Sequence, residues 1–82
     1  MNFQKMVQDL NPEALFPTGF EKAIVGMGER NNVVVFVVAR EKCVEILMKD
    51  MSEDEADEYF EYNILRSNPY MGDNAPYFTV RD

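Results

Sequence analysis

The sequence predicts an α+β fold in one small domain, and three observations carry that prediction. An unbroken apolar run from Val33 to Val38 reads as a buried strand, stretches of helical period flank it on both sides, and Asn, Gly and Pro mark the junctions. The 82 residues, 46% of them apolar, supply one core of modest stability, because a domain near this size buries only about 60% of the surface its unfolded chain exposes. A bound partner or a homo-oligomer would add to it.

A short helix comes first. Asn2 caps it, Phe3, Met6, Val7 and Leu10 recur at helical spacing, and Asn11-Pro12 ends it because a residue before proline is driven out of the α region. The cluster Pro17-Thr18-Gly19 is a turn, after which a strand is expected over 23–29. Its glycines, Gly26 and Gly28, fall on one face and suit a bulge or a close packing of another backbone. They are no nucleotide-binding loop, since the third glycine is missing and no helix opens there.

Asn31-Asn32 tolerates positive φ and so predicts a hairpin into Val33–Val38. With no polar alternation, that second strand is expected at the centre of the sheet, covered on both faces. From Arg40 the period becomes helical: Val44, Leu47, Met48 and Met51 form a stripe widened by Cys43 and Ile46, a helix over about 40–50. Ser52 with Glu55 three residues on is a capping box, so another helix begins at Glu53 and runs to about 66. Its stripe is Ala56, then Tyr59 or Phe60, then Asn63 or Ile64. Asn68-Pro69 ends it, residues 72–76 turn, and a final strand is expected over 77–80. The two consecutive helices cover one sheet face; whether the last strand is parallel or antiparallel to the second stays open.

Composition excludes several kinds of chemistry. There is no histidine, so Ser-His and Cys-His nucleophiles and histidine metal sites are out of reach. The single Cys43, among Val44, Ile46 and Leu47, reads as a small buried thiol. No catalytic residue, cofactor or metal ligand set is predicted; the EF-hand pattern of acids around a central glycine is missing too. The longest apolar run, Val33–Ala39, is far short of the roughly 20 residues a bilayer requires, and no secretory leader is recognisable, which predicts a cytoplasmic protein.

Charge is the distinctive feature. Eight Lys and Arg stand against fifteen Asp and Glu, a net charge of −7, which makes nucleic acids and anionic membranes poor partners and basic proteins good ones. Six of the acids lie within 53–61, in the stretch SEDEADEYFEYN; without them the balance is eight against nine, or −1. Glu53, Asp54 and Glu55 suit the positive end of a helix dipole. Asp57, Glu58 and Glu61 lie past the first turn, where like charges repel without local reward. Two readings stand: a solvated face, or a surface that a basic partner neutralises. In the second, the protein-binding candidates are Asp54, Asp57, Glu58 and Glu61, with Tyr62 and Tyr70, off the apolar stripe, as exposed anchors.

Four blocks, GFEKAIVG, VVFVVAREKCVEILM, MSEDEADEYFEYN and YMGDNAPYF, run in this order from Gly19 to Phe78. In them the chain resembles a family of small uncharacterised tailed-bacteriophage proteins. It departs from their pattern between Asn63 and Tyr70, where Ile-Leu-Arg-Ser-Asn-Pro replaces a smaller linker. The resemblance implies a source and brings no activity, cofactor or partner with it. Joined to the missing site chemistry and the acidic helix, it leads to the expectation of a non-enzymatic phage accessory protein that binds a host or phage protein in the host cytoplasm, in host takeover or against a defence factor. Two alternatives stand beside it: an acidic nucleic-acid mimic occupying a basic groove, and a homo-oligomeric structural or scaffold component.

Overall fold

The computed structural model describes residues 2–79, without the side chains of residues 70 and 71. Helix α1 is Phe3–Leu10, strand β1 Ile24–Arg30, strand β2 Val33–Val38, helix α2 Arg40–Leu47, helix α3 Glu53–Tyr59 and strand β3 Tyr77–Phe78. A 3-10 turn, Glu21–Ala23, leads into β1; a π-helical turn, Phe60–Leu65, continues α3; and two 3-10 turns broken at Gly72 occupy Asn68–Asn74. Helices and a three-stranded mixed sheet make this the α+β fold the sequence predicts. No helix among the described residues is long and apolar enough to cross a membrane.

The sheet order is β1-β2-β3, which puts the all-apolar strand in the middle. Its hairpin with β1 turns on Asn31 and Asn32 at φ 51° and 67°, the left-handed pair that a two-residue turn needs to match strand twist. The register runs from Arg30 against Val33 to Ile24 against Val38, with a bulge between Ile24 and Gly26. Strand β3 pairs in parallel, Val37 with Tyr77 and Val38 with Phe78, which resolves the orientation the sequence left open. Parallel pairing follows from the helical crossover through α2 and α3, the connection such strands require. The expected extension of this strand to Val80 lies outside the described residues.

Alternation along β2 divides the residues between two faces. Phe36 and Val38 point into the main core, where they meet Val7 of α1, Phe20, Ala23, Cys43 and Val44 of α2, and Ala56, Phe60 and Ile64. Phe16 meets Phe36 edge to face at 5.2 Å between ring centres. The α2 stripe enters the core as expected except at Met48, which is exposed where the helix has ended. The thiol of Cys43 is buried, and desolvation pushes it from 9.0 to about 11.

Val33, Val35 and Val37 face the other way, beside Gly26, Gly28 and Arg30. No helix is needed there, because Tyr77 lies across the sheet. Its hydroxyl donates to the carbonyl of Glu29 at 3.2 Å, and Arg30 stacks over its ring at 4.3 Å. Arg30 in turn donates through Nη1 to the carbonyls of Ala75 and Asp73, at 2.5 and 3.2 Å. The space for the ring is the missing side chain of Gly28: a Cβ there would come within 3.1 Å of Tyr77 Cδ2 and 3.4 Å of Val37 Cγ2. Of the two expectations for the paired glycines, a bulge is found at Gly26, whereas what packs against Gly28 is a side-chain ring and not another backbone.

With only two residues, β3 leaves part of β2 unpaired. The tight turn makes Arg30 and Val33 a hydrogen-bonded pair, so the carbonyl of Val34 points away from β1. Asn11 supplies the missing donor, its Nδ2 reaching Val34 O at 2.8 Å and Asn74 Oδ1 at 2.9 Å. Its Oδ1 accepts from the Glu13 N–H at 3.2 Å. A residue read from sequence only as a helix stop thus ties α1, the central strand and the segment before β3 together.

Two measurements test this packing. Gly28→Val is expected to lower stability in a denaturant titration by about 1–3 kcal/mol through overpacking, with a smaller loss in a Tyr77→Ala background. A loss of equal size in both backgrounds would remove Tyr77 as the constraint. For Cys43, the raised value means that the neutral thiol favours the folded chain below pH 9.0, and that this contribution is lost as pH rises toward about 11. Stability of Cys43→Ala relative to the parent should therefore improve over that interval; a constant difference would contradict it.

Candidate functional site

The acidic stretch is built from its first residue as the capping box predicts. Ser52 Oγ accepts from the Glu55 N–H at 3.2 Å, while Glu55 Oε1 accepts from the Ser52 N–H at 3.3 Å. Glu53, Asp54 and Glu55 follow in the first turn, where exposed N–H groups favour negative charge. Ala56, Phe60 and Ile64, four apart, are buried. Between the two alternatives at each later stripe position, the fold takes Phe60 and Ile64 and leaves Tyr59 43% exposed.

The helix does not run uniformly to 66 as expected. From Phe60 it widens to a π turn, in which the Arg66 N–H reaches back five residues to Glu61 O at 3.3 Å. Side chains occupy carbonyls around this change of register: Asn63 Nδ2 donates to Tyr59 O at 3.2 Å, and Ser67 Oγ to Ile64 O at 2.8 Å. Widened turns of this kind recur at functional sites.

Two rows of side chains result, Asp54-Glu58-Tyr62 and Asp57-Glu61-Leu65. With Arg40 and Arg66 they line an open recess of about 560 Å³. Five of the six residues singled out from the sequence, Asp54, Asp57, Glu58, Glu61 and Tyr62, are thus brought together. Tyr62 is 56% exposed. The side chain of Tyr70 lies outside the described residues.

The ridge differs from its sequence reading in two respects. Asp57 is half-buried, not a fully wet position, because it stands beside buried Ala56 in the wall of the recess. Second, the stretch that has no base of its own acquires one from α2. Arg40 Nη2 pairs with Glu61 Oε1 at 2.5 Å, and the same guanidinium lies over the Phe60 ring at 5.0 Å from its centre. The Arg40 side chain is 18% exposed and that of Glu61 53%. Arg40 Nε is enclosed without a hydrogen-bond partner among the described residues. On the outer row, Arg66 stacks over Tyr62 at 4.7 Å.

Sequence reasoning missed Arg40, Arg66 and Leu65. Tyr62 and Arg66 are four apart, a spacing that could have been read as a helical pair. Arg40 is 21 residues from Glu61, and nothing local links them.

No family model, curated protein or solved structure matches this chain. Among the described residues, no three of the acids and Cys43 come together as a metal site. The recess offers carboxylates, one exposed ring and a wide mouth. Such a surface suits a cationic group of a larger partner better than an enclosed small molecule, whose sites are concave and mostly apolar.

Arg40→Ala is expected to destabilise the chain more than Glu61→Gln in thermal melts. The first removes packing on Phe60 as well as the ion pair, whereas a partly exposed ion pair alone contributes about 0–1 kcal/mol. Equal losses would mean that the pair, and not the stacking, holds Arg40 in place.

Proposed function

We propose that this chain is a small non-enzymatic accessory protein of a tailed bacteriophage that acts in the host cytoplasm by binding a host or phage protein with a basic surface. The observation that carries this reading is the convergence of Asp54, Glu58, Glu61 and Tyr62 on one open recess at the end of a capped helix. Of these carboxylates Glu58 lies past the first turn and makes no ion pair among the described residues, so its repulsion with its acidic neighbours is one a cationic partner relieves. An exposed aromatic next to them supplies apolar contact area, the usual companion of charge at protein interfaces. Host takeover or inhibition of a defence factor are the roles consistent with such an activity.

The nucleic-acid mimic is supported less well. An array of phosphate-like charges should be free of bases, and here Arg40 neutralises Glu61 while Arg66 stands at the end of the outer row.

The test is a comparison of the parent protein with Asp54→Asn/Glu58→Gln as baits in a bacterial host lysate, washed at low and high salt. These two positions are exposed and bear no core contact, so the variant should fold as the parent does. A basic protein retained by the parent alone and released by salt is the expected result. The same proteins retained by both baits would reduce the acidic ridge to a solvated helix face.

A further inference from the structure

We propose that the chain forms a symmetric dimer in which β1 of one copy pairs antiparallel with β1 of a second, joining two three-stranded sheets into one of six. The dimer goes beyond the proposed function and leaves its site free, because the recess is lined from α2, α3 and the turn that follows, with nothing from α1 or β1.

The outer edge of β1 presents hydrogen-bonding groups at strand spacing. Since Arg30 and Val33 are a hydrogen-bonded pair, Glu29 with Val34 and Met27 with Phe36 are pairs of the other kind, whose N–H and C=O groups point away from each other. On this edge the Glu29 carbonyl accepts from Tyr77, and Met27 has no backbone partner among the described residues. The complement of such an edge is an extended strand.

Sheet edges are ordinarily guarded by lysine, proline or charge turned inward. Residues 24–28, Ile-Val-Gly-Met-Gly, contain none of these, and the bulge between Ile24 and Gly26 leaves the rest of the strand in register. Met27, in the middle, is 43% exposed. It shares a face with its cross-strand neighbour Phe36, the face on which α1 packs. There α1 buries only Val7, while Phe3 and Met6 are half-buried and Leu10 is exposed. Unpaired backbone and uncovered apolar side chains therefore belong to two adjacent elements, α1 and β1.

The strand is complementary to itself, which makes a second copy the occupant. In the antiparallel register that overlaps Ile24 to Arg30 in full, Met27 faces Met27 at the two-fold axis, Val25 faces Glu29 and Ile24 faces Arg30. No like charges meet. The Met27 pair exchanges two backbone hydrogen bonds, and both copies of α1 fall on one face of the joined sheet. Repulsion between copies is moderated because six of the fifteen acids lie within 53–61, outside the paired edge. An isologous contact closes on itself, so pairing ends at two copies. One strand edge with a helix beside it falls below the roughly 1,200 Å² of standard interfaces, and the expected dimer is correspondingly weak and reversible.

Sedimentation velocity between about 1 μM and about 1 mM reads the association. The parent should pass from monomer to dimer across this range, and so should Asp54→Asn/Glu58→Gln, which alters the recess alone. Met27→Lys sets two like charges at the axis and should raise the dissociation constant at least about tenfold. Its unchanged melting temperature would show that it is folded. Met27→Cys should oxidise to a covalent dimer, since hydrogen-bonded partners have Cα atoms about 5.5 Å apart, within disulfide reach. Met48→Cys, at a comparably exposed position after α2, should not. A parent that stays monomeric throughout, or a dimer that Met27→Lys leaves intact, overturns the pairing. Loss of association in Asp54→Asn/Glu58→Gln would move the contact to the recess and overturn it as well.

Discussion

The burial of Phe60 is the constraint on which the rest of this structure depends. Its ring is fully buried and meets Phe78 of β3 edge to face at 5.3 Å, while Arg40 lies over it from α2. One side chain thereby joins the acidic helix, the parallel edge strand and the start of the crossover helix. Burying a phenylalanine is worth a few kcal/mol, roughly 1.5–3 by transfer, a large share of what so small a domain has. The recess is a by-product of that packing. Once Phe60 is fixed, Glu61 and Tyr62 must emerge beside it, and the guanidinium drawn to the ring is also brought to Glu61.

Much of the architecture was legible because local signals agreed with the global pattern. Asn2, Asn31-Asn32 and Ser52 with Glu55 each perform the backbone task their chemistry suggests, and the apolar run at 33–38 lies at the centre of the sheet. Departures occur where long-range contacts decide. The α3 stripe allowed Tyr59 or Phe60, and the fold takes the second through contacts with residues distant in sequence, Phe78 and Arg40 among them. Neither the π turn nor the parallel β3 could be read locally, since both express how the crossover closes on the sheet. Asn11 shows the same limit, as its amide serves a strand 23 residues away.

The candidate site was legible in its acids and opaque in its bases. Carboxylates cluster in sequence because a helix start tolerates them, so Asp54, Asp57, Glu58 and Glu61 stand out in a linear reading. The cations that shape the recess come from elsewhere, Arg40 across the fold and Arg66 beyond the π turn. A helix that looks uniformly negative in one dimension is a patterned surface in three, with one neutralised carboxylate, an inner row partly withdrawn from water and an outer row left open. Patterning of this kind confers discrimination between partners more than it confers raw affinity.

The short third strand has a consequence for solubility. The run VVVFVV, uncharged, β-branched and free of proline, is the type of segment that stacks into cross-β assemblies when its edge is bare. One edge is closed by the seven-residue β1. The other is closed by two residues of β3, the Thr79 N–H on Val38 O at 3.0 Å and the Asn11 amide on Val34 O. Tyr77, reaching across to Glu29, and Arg30, gripping the segment before β3, act as gatekeepers that keep this thin cover in place. In a chain with so little core to spare, loosening of that edge exposes a surface on which copies can polymerise before the rest of the domain has unfolded.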